Sequence, residues 1–324
     1  MKDVVVVVPT YEPNETIMMD FISKLQKEFK NIIIVNDGNR VEFDDLFKKF
    51  SAKKIKVLKN NVNLGKGVAL KHAYNVILNE YPKCKVVVSA DCDGQHTVED
   101  IKKIAEMSLN NPESLVVGVR DFNDSSVPKT LKICNKINKI IMQELIDLNI
   151  TDTQTGLRAM SYELIKTFIK TSGDRYEYEA NELIDCKEKE ISIIEVPIET
   201  IFIDGNSESN FNPITDSLKI FKLFSKYYSR VLLAILINVI IFSIILKFVT
   251  LPNVITVTFA IIIANLLSKK IGKIRETDIV NYIVYLITLV VLTLILSGIT
   301  NISYLICYII CMLLSYTLLR LFFE

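Results

Sequence analysis

Two carboxylates one residue apart, Asp91 and Asp93, are the side chains of this sequence that most directly imply chemistry. They follow Val86, Val87 and Val88, a run apolar at every position, as a strand buried on both faces of a parallel sheet requires. In an extended chain residues two apart point to the same side, so both carboxylates can converge on one object. Hard carboxylate oxygens beside phosphates are the ligands that Mg²⁺ or Mn²⁺ takes, which makes a metal–diphosphate site the favoured reading. Gly94 permits the sharp turn that follows. An Asp-rich turn that merely closes a strand has the same pattern, so the surroundings of the motif must separate the two.

The elements needed to position such a site are legible around it. Residues 4–8 form a second fully apolar run, stopped by Pro9 at the head of a polar loop carrying Tyr11, Glu12 and Glu15. The pattern predicts a helix over 17–29, a strand over 32–35 ending in Asn36-Asp37-Gly38-Asn39, a polar helix from 43, and a strand over 55–58. Asn63-Leu64-Gly65-Lys66-Gly67 then opens a helix to 78. Thr97, with Asp100 three positions on, is a capping-box variant heading another helix. A strand over 115–117 ends at Gly118-Val119-Arg120, and a basic helix over 131–148 carries Lys132, Lys136 and Lys139. A polar loop over 152–158, a helix to 187 and a strand pair or one bent strand over 191–201, interrupted at Pro197, complete this part. Alternating strands and helices predict an α/β fold: a doubly wound, mostly parallel sheet with ligands at the strands' carboxyl ends.

Composition divides the 324 residues unevenly. Half are hydrophobic, and mean hydropathy is +0.32. Charged residues are frequent up to Tyr228, whereas beyond Arg230 four apolar stretches follow, over 231–249, 251–268, 279–296 and 302–322. Each approaches the roughly 20 residues that span a bilayer, so an all-α domain of four transmembrane helices is predicted over 231–324. An amphipathic interfacial helix is expected over 213–230, with Lys219, Lys222, Lys226 and Arg230 on one side. Lys269, Lys270, Lys273 and Arg275 lie between the second and third stretches; the positive-inside rule then puts the first domain (1–212) and both termini on the cytoplasmic side of a multi-pass protein. The net charge of +1 argues against a nucleic-acid partner, and six cysteines without paired spacing argue against a disulfide or zinc framework.

The order VVVPTYEPNE, VNDG, NVNLGKGVALKHAY, SADCDGQH, VGVRDF, DTQTGLRAM, RYEYEANEL and VPIETIFIDGNSESNFNPITDS resembles family-2 glycosyltransferases. The likeness is to the polyprenyl-phosphate branch, which includes dolichyl-phosphate mannose synthase and undecaprenyl-phosphate glucosyltransferases, and the tail is similar to a GtrA-like domain. The resemblance implies a GT-A-type catalytic domain and a Mg²⁺ or Mn²⁺ cofactor held by Asp91, Asp93 and Gln95. It also implies that Pro9, Tyr11, Asp37, Gly65, Lys66 and Gly67 hold the nucleotide, with Glu12 or Glu15 in the place of the family glutamate. Arg120 and Lys132 match positions that bind the lipid phosphate; lysine there gives a point charge rather than a bidentate fork. Asn36 stands where many members have aspartate, Asp204 stands where some have a basic residue in the acceptor loop (204–212), and Thr215 replaces a frequent arginine.

The implied reaction moves a hexose from a nucleotide sugar (a UDP-hexose or GDP-mannose) to polyprenyl phosphate at a membrane bilayer, with inversion. The acceptor phosphate, with a second pKa of about 6, is already ionised, so no strong general base is required. Two rivals stand beside this reading. A transferase acting on a sugar hydroxyl would need a base, for which Glu177 or Glu179 is available, although an ion-pair role beside Arg175 is favoured for them. A translocase of lipid-linked sugar with a weak or inactive transferase domain is the other. Asp152 and Gln154 suit a ligand contact or a structural loop equally, and His96 suits the metal site or a plain helix start. An oligomer is compatible with the sequence.

Overall fold

The computed structural model describes residues 1–124, 127–143 and 148–201, with residues 240, 244, 258, 261–263, 289, 293, 306 and 308–310. The chain divides into two compact units, Met1–Phe224 and Ser225–Glu324. The expected interfacial helix, the acceptor loop from 203 and nearly all of the four apolar stretches lie outside the described residues. Among the described residues no helix is long and apolar enough to cross a membrane.

In the first unit, β1 (Val4–Thr10), β2 (Asn31–Asp37), β3 (Lys56–Asn60), β4 (Val86–Ser89), β5 (Leu115–Val119), β6 (Arg158–Ser161) and β7 (Ile193–Pro197) form one sheet in the order β3-β2-β1-β4-β6-β5-β7. β1 pairs in parallel with β2 and β4, β2 with β3, and β5 with β7. Among the described strands β6 alone runs against its neighbours, β4 and β5. The sheet is therefore mixed, with one reversed strand. The sequence pattern gives its four residues no strand signal and places the first of them in a polar loop, because a strand that opens on arginine and ends on serine carries no apolar run.

Helices α1 (Glu15–Glu28), α2 (Asp44–Ala52), α3 (Lys66–Glu80), α4 (Val98–Asn110), α5 (Lys129–Ile141), α6 (Tyr162–Phe168) and α7 (Glu177–Glu188) complete the described part. Strand alternation sorts the core. Val4, Val6, Val8, Ile32, Ile34, Val86 and Val88 join one cluster with Met18, Ile22 and Leu25 of α1 and Ile101 and Ile104 of α4. On the opposite face α3 packs against β1 and β2 and also meets α6 and α7. The doubly wound expectation thus holds for the described residues.

Side-chain caps fix helix starts at Thr97, as expected, and at Asn14, which the sequence pattern does not single out. Asn14 caps α1, its Oδ1 accepting the N–H groups of Thr16 at 3.1 Å and Ile17 at 3.2 Å. Thr97 Oγ1 accepts the N–H of Asp100 at 3.1 Å and donates to its carboxylate at 2.8 Å. The same carboxylate accepts the N–H of Glu199 at 3.1 Å, tying the chain beyond β7 to α4. Chain direction reverses its lateral course between β1 and β4, the crevice where open α/β sheets take ligands. Asp91 and Asp93 lie at that point.

Candidate active site

At the carboxyl end of β1, a web of asparagines shapes the loop that follows. Asn39 donates from Nδ2 to the carbonyl of Thr10 at 2.8 Å and to Oδ1 of Asn36 at 2.9 Å, and its Oδ1 accepts the N–H of Glu12. Glu12 takes a left-handed φ of 44° and pairs with Arg40 at 2.9 Å. Next to it, the buried carboxylate of Asp37 accepts from Asn60 Nδ2 at 2.7 Å and from the N–H groups of Leu64 at 3.1 Å and Gly65 at 2.7 Å. Asp37 therefore anchors the loop that opens α3. A pocket lies over these ends, walled by Pro9, Tyr11, Glu12, Asp37, Gly65 and Lys66, and it reaches Asp91 and Asp93.

Lys66 is the electrostatic centre. Its ammonium lies 2.6 Å from Asp91 Oδ1 and 2.8 Å from Glu179 Oε1. Burial alone would lower its pKa, but the two carboxylates outweigh burial and raise it, so the lysine stays charged. Burial pushes Asp91 upward as well, yet Lys66 and then His96 outweigh it and hold the carboxyl below its ordinary value. Asp93 lacks such a partner. Burial and the Asp91 charge push it up to about 6, while the N–H of Gln95, 3.0 Å from its Oδ1, works the other way. His96 is buried and accepts the N–H of Asp91 at Nδ1, 3.0 Å away. Burial pushes its pKa down to about 4, so the ring is neutral and carries its proton on Nε2.

A second pocket adjoins the first and is lined by Gln95, Arg120, Leu131, Gln154, Gly156 and Glu179, among others. The two share Lys66, Asp91, Asp93 and Tyr176 as a common wall. Arg120 is fixed there by a bidentate pair to the fully buried Asp152, Nε–Oδ2 2.7 Å and Nη2–Oδ1 3.1 Å. Gly156 is a spacer: a Cβ on it would lie 2.3 Å from Asp91 Oδ2 and 2.4 Å from Lys66 Nζ. Below this wall Arg158 is fully buried, donating to the carbonyl of Glu179 at 2.6 Å and to Glu182 Oε2 at 2.9 Å.

Asp91 and Asp93 offer the hard oxygens a divalent cation takes, and both line the two pockets. Such a cation would also relieve the repulsion between the two carboxylates. Among the described residues no group of three or more His, Cys, Asp or Glu is placed to hold a metal. The remaining ligands of a cation here would be phosphate or water oxygens, or the amide oxygen of Gln95, which lines the second pocket beside the two carboxylates.

The structure brings together Pro9, Tyr11, Glu12, Asp37, Gly65, Lys66, Asp91 and Asp93 around the first pocket, with Gln95 and Arg120 in the second. Lys132 is absent from both linings, where its neighbour Leu131 faces the second pocket; its ammonium lies 3.5 Å from the carbonyl of Asn123. Gly65 and Gly67 do permit close approach, but of the chain itself, backbone and side chain. A Cβ on Gly65 would meet the carbonyl of Asp174 at 2.4 Å, and one on Gly67 would meet Tyr178 Cβ at 2.6 Å. The ion pair favoured for Glu177 and Glu179 with Arg175 does not form. Glu177 Oε1 accepts the N–H groups of Asp174 at 3.1 Å and Arg175 at 3.3 Å, and Glu179 pairs with Lys66 instead. Gly156, Arg158 and Tyr176 are not recognisable as site residues from sequence. The Thr155-Gly156-Leu157 step is the one available signal, since glycine next to a polar loop often marks a close approach.

Comparison with known proteins adds to this geometry. The sequence profile of Glycosyl transferase family 2 matches residues 5–168. An uncharacterized protein of Methanocaldococcus jannaschii is 31% identical over 226 residues, covering 68% of this chain and 90% of that protein. The UDP-N-acetylglucosamine–dolichyl-phosphate N-acetylglucosaminyltransferase of Methanococcus voltae is 30% identical over 226 residues, 63% of this chain and 87% of that enzyme. Among solved structures, glucosyl-3-phosphoglycerate synthase from Mycobacterium tuberculosis, with Mn²⁺, UDP-glucose and phosphoglyceric acid, superimposes with a TM-score of 0.51. At 17% identity, over 69% of this chain and 79% of that one, the likeness shows the fold alone.

Proposed function

The chain belongs to Glycosyl transferase family 2 and is a glycosyltransferase using a nucleotide sugar, and on that premise we propose that its acceptor is a polyprenyl phosphate. The observation that carries the reading is the wall common to the two pockets, where Lys66, Asp91, Asp93 and Tyr176 separate them. A donor nucleotide seated over β1 and β2 would present its diphosphate to that wall, and an acceptor would approach from the side of Arg120. The lipid phosphate is suggested by the Methanococcus voltae relative, whose name specifies dolichyl phosphate. The apolar stretches beyond Arg230 would hold the chain at the bilayer, with the catalytic domain on the cytoplasmic side.

An oxygen of the acceptor phosphate attacks the anomeric carbon, and the bond to the diphosphate breaks with its electron pair leaving on the nucleoside diphosphate. A single displacement inverts the anomeric configuration. The nucleophile is already ionised near neutral pH, so no proton has to move. Catalysis then rests on alignment and on charge. Arg120, rigid on Asp152, orients the incoming phosphate. Asp91 and Asp93 would hold a divalent cation, Mg²⁺ or Mn²⁺, which when bound would supply charge that stabilises the leaving diphosphate. His96, through the N–H of Asp91, positions that carboxylate.

A second reading has one observation in its favour. Glu179 is buried in the second pocket, where a hydroxyl-bearing acceptor would need a base. Its pairing with the charged Lys66 makes it a poor one.

The test incubates the purified chain with Mg²⁺ or Mn²⁺, undecaprenyl or dolichyl phosphate, and radiolabelled UDP- and GDP-sugars. Label extracted into organic solvent with one donor, and lost in Asp93→Ala, is the expected result. Label transferred only to a sugar hydroxyl would overturn the acceptor assignment.

A further inference from the structure

The first pocket holds a basic side chain, Arg175, that the proposed reaction does not yet use. Its carboxylates are all engaged: Glu12 with Arg40 at 2.9 Å, Asp37 with the N–H of Gly65 at 2.7 Å, Asp91 with Lys66 at 2.6 Å, and Asp93 with the N–H of Gln95 at 3.0 Å. Two basic side chains line the same pocket, Lys66 and Arg175. Lys66 is already shared between Asp91 and Glu179. The guanidinium of Arg175 has neither ion pair nor hydrogen bond among the described residues. A half-buried arginine that none of the pocket's four carboxylates pairs with is left to an anion that a ligand brings.

Its placement is built. Gly65, at φ 102°, carries no Cβ; one there would lie 2.5 Å from Cγ of Arg175, so the arginine stem rests directly on the glycine. The loop bearing it is fastened from three sides. Val68 N–H donates to the carbonyl of Asp174 at 3.1 Å, Lys71 Nζ donates to that of Gly173 at 2.7 Å, and Glu177 receives the N–H groups of Asp174 and Arg175. A side chain so held loses little freedom on meeting its ligand. The guanidinium fork matches two phosphate oxygens, whereas an uncharged base or ribose gains little from a full positive charge.

We infer that Arg175 binds the diphosphate of the donor nucleotide in the first pocket. This rests on the reading above that the pocket takes a nucleoside diphosphate. Arg175 then shares with the Asp91–Asp93 site the charge that leaves with the nucleotide, and Gly65 serves to seat it.

The experiment titrates the purified full chain with UDP, GDP, uridine and guanosine in the presence of Mn²⁺ by calorimetry. Wild type binds one diphosphate more tightly than its nucleoside. Arg175→Gln weakens that diphosphate roughly tenfold to hundredfold and leaves the nucleoside unchanged, and Arg175→Lys recovers part of the loss. Unchanged diphosphate affinity in Arg175→Gln overturns the inference while the nucleotide reading stands. Equal losses for diphosphate and nucleoside in both variants also overturn it, assigning Arg175 to the loop's structure. Wild type that binds neither diphosphate overturns the nucleotide reading, and the inference with it.

Discussion

Replacing Arg158 by methionine tests how the buried charges under the site are balanced. The guanidinium is fully buried and donates to the carbonyl of Thr155 at 3.2 Å, the carbonyl of Glu179 at 2.6 Å and Glu182 Oε2 at 2.9 Å. Methionine fills much of the volume but leaves two carbonyls and a carboxylate without their donor. Breaking a buried pair in this way costs about 3–5 kcal/mol. For a domain of this size that lowers Tm by roughly 6 to 20 °C. The loss should depend on pH. Burial raises the Glu182 carboxyl to about 7, with Arg158 pulling it down from a still higher value. Because the folded pKa exceeds the ordinary 4.5, the stability tied to the protonated form is full below about 4.5 and disappears as pH rises through 7. Without Arg158 the carboxyl moves higher still, so the variant can shed its unpaired charge by taking a proton in mild acid. The Tm deficit should therefore be smaller near pH 5, where only the two carbonyls stay without a donor, and full by pH 8, followed by circular dichroism because the chain contains no tryptophan. Arg158→Met/Glu182→Leu should regain most of the Tm at pH 8. It should still transfer sugar poorly, since the carbonyl of Glu179 has lost its anchor. A deficit larger at pH 5 than at pH 8 would refute the reasoning.

Two further outcomes follow from single contacts. Gly156→Ala puts a methyl 2.3 Å from Asp91 Oδ2, so the Asp91–Lys66 pair must part; a displacement of about 1 Å there should cost roughly a hundredfold in transfer rate, and near-normal rates would sink the spacer role. His96 has a folded pKa of about 4 against an ordinary 6.5, so its contribution to stability is complete above 6.5 and disappears as pH falls toward 4. That contribution is on the order of 3 kcal/mol. Thermal unfolding of His96→Gln should show a flatter fall in Tm between pH 6.5 and 4 than wild type, and an equal fall would exclude His96 as its source.

The chain's local chemistry is readable without the fold. Unbroken valine runs at 4–8 and 86–88 fit strands buried on both faces, and such strands place Pro9, Asp37 and Asp91 at one edge of a parallel sheet. Asp91 and Asp93 do meet the first pocket, but in the bend beyond β4 and with Cys92 between them on the same wall, so the turn rather than strand alternation brings them there. The capping signal at Thr97 is likewise a matter of a few consecutive residues. Partners distant in sequence are not legible, because which charges meet depends on how helices dock. Lys66 stands between two glycines and reads as a residue that holds the nucleotide, yet its seat between Asp91 and Glu179 exists only once α7 lies against α3. Arg158 makes an unpromising strand residue until Glu182 is brought beside it, and so β6 escapes a reading of pattern alone. Gly65 and Gly67 signal a close approach without saying of what; docking of the 173–178 loop decides that it is the protein itself. Lys132 and Leu131 are adjacent on α5, and only the helix's rotation against the pocket selects the leucine for the wall. Sequence determines which groups lie at the strand ends, because strand geometry is local, whereas tertiary packing decides which of them are paired and which are left for a ligand.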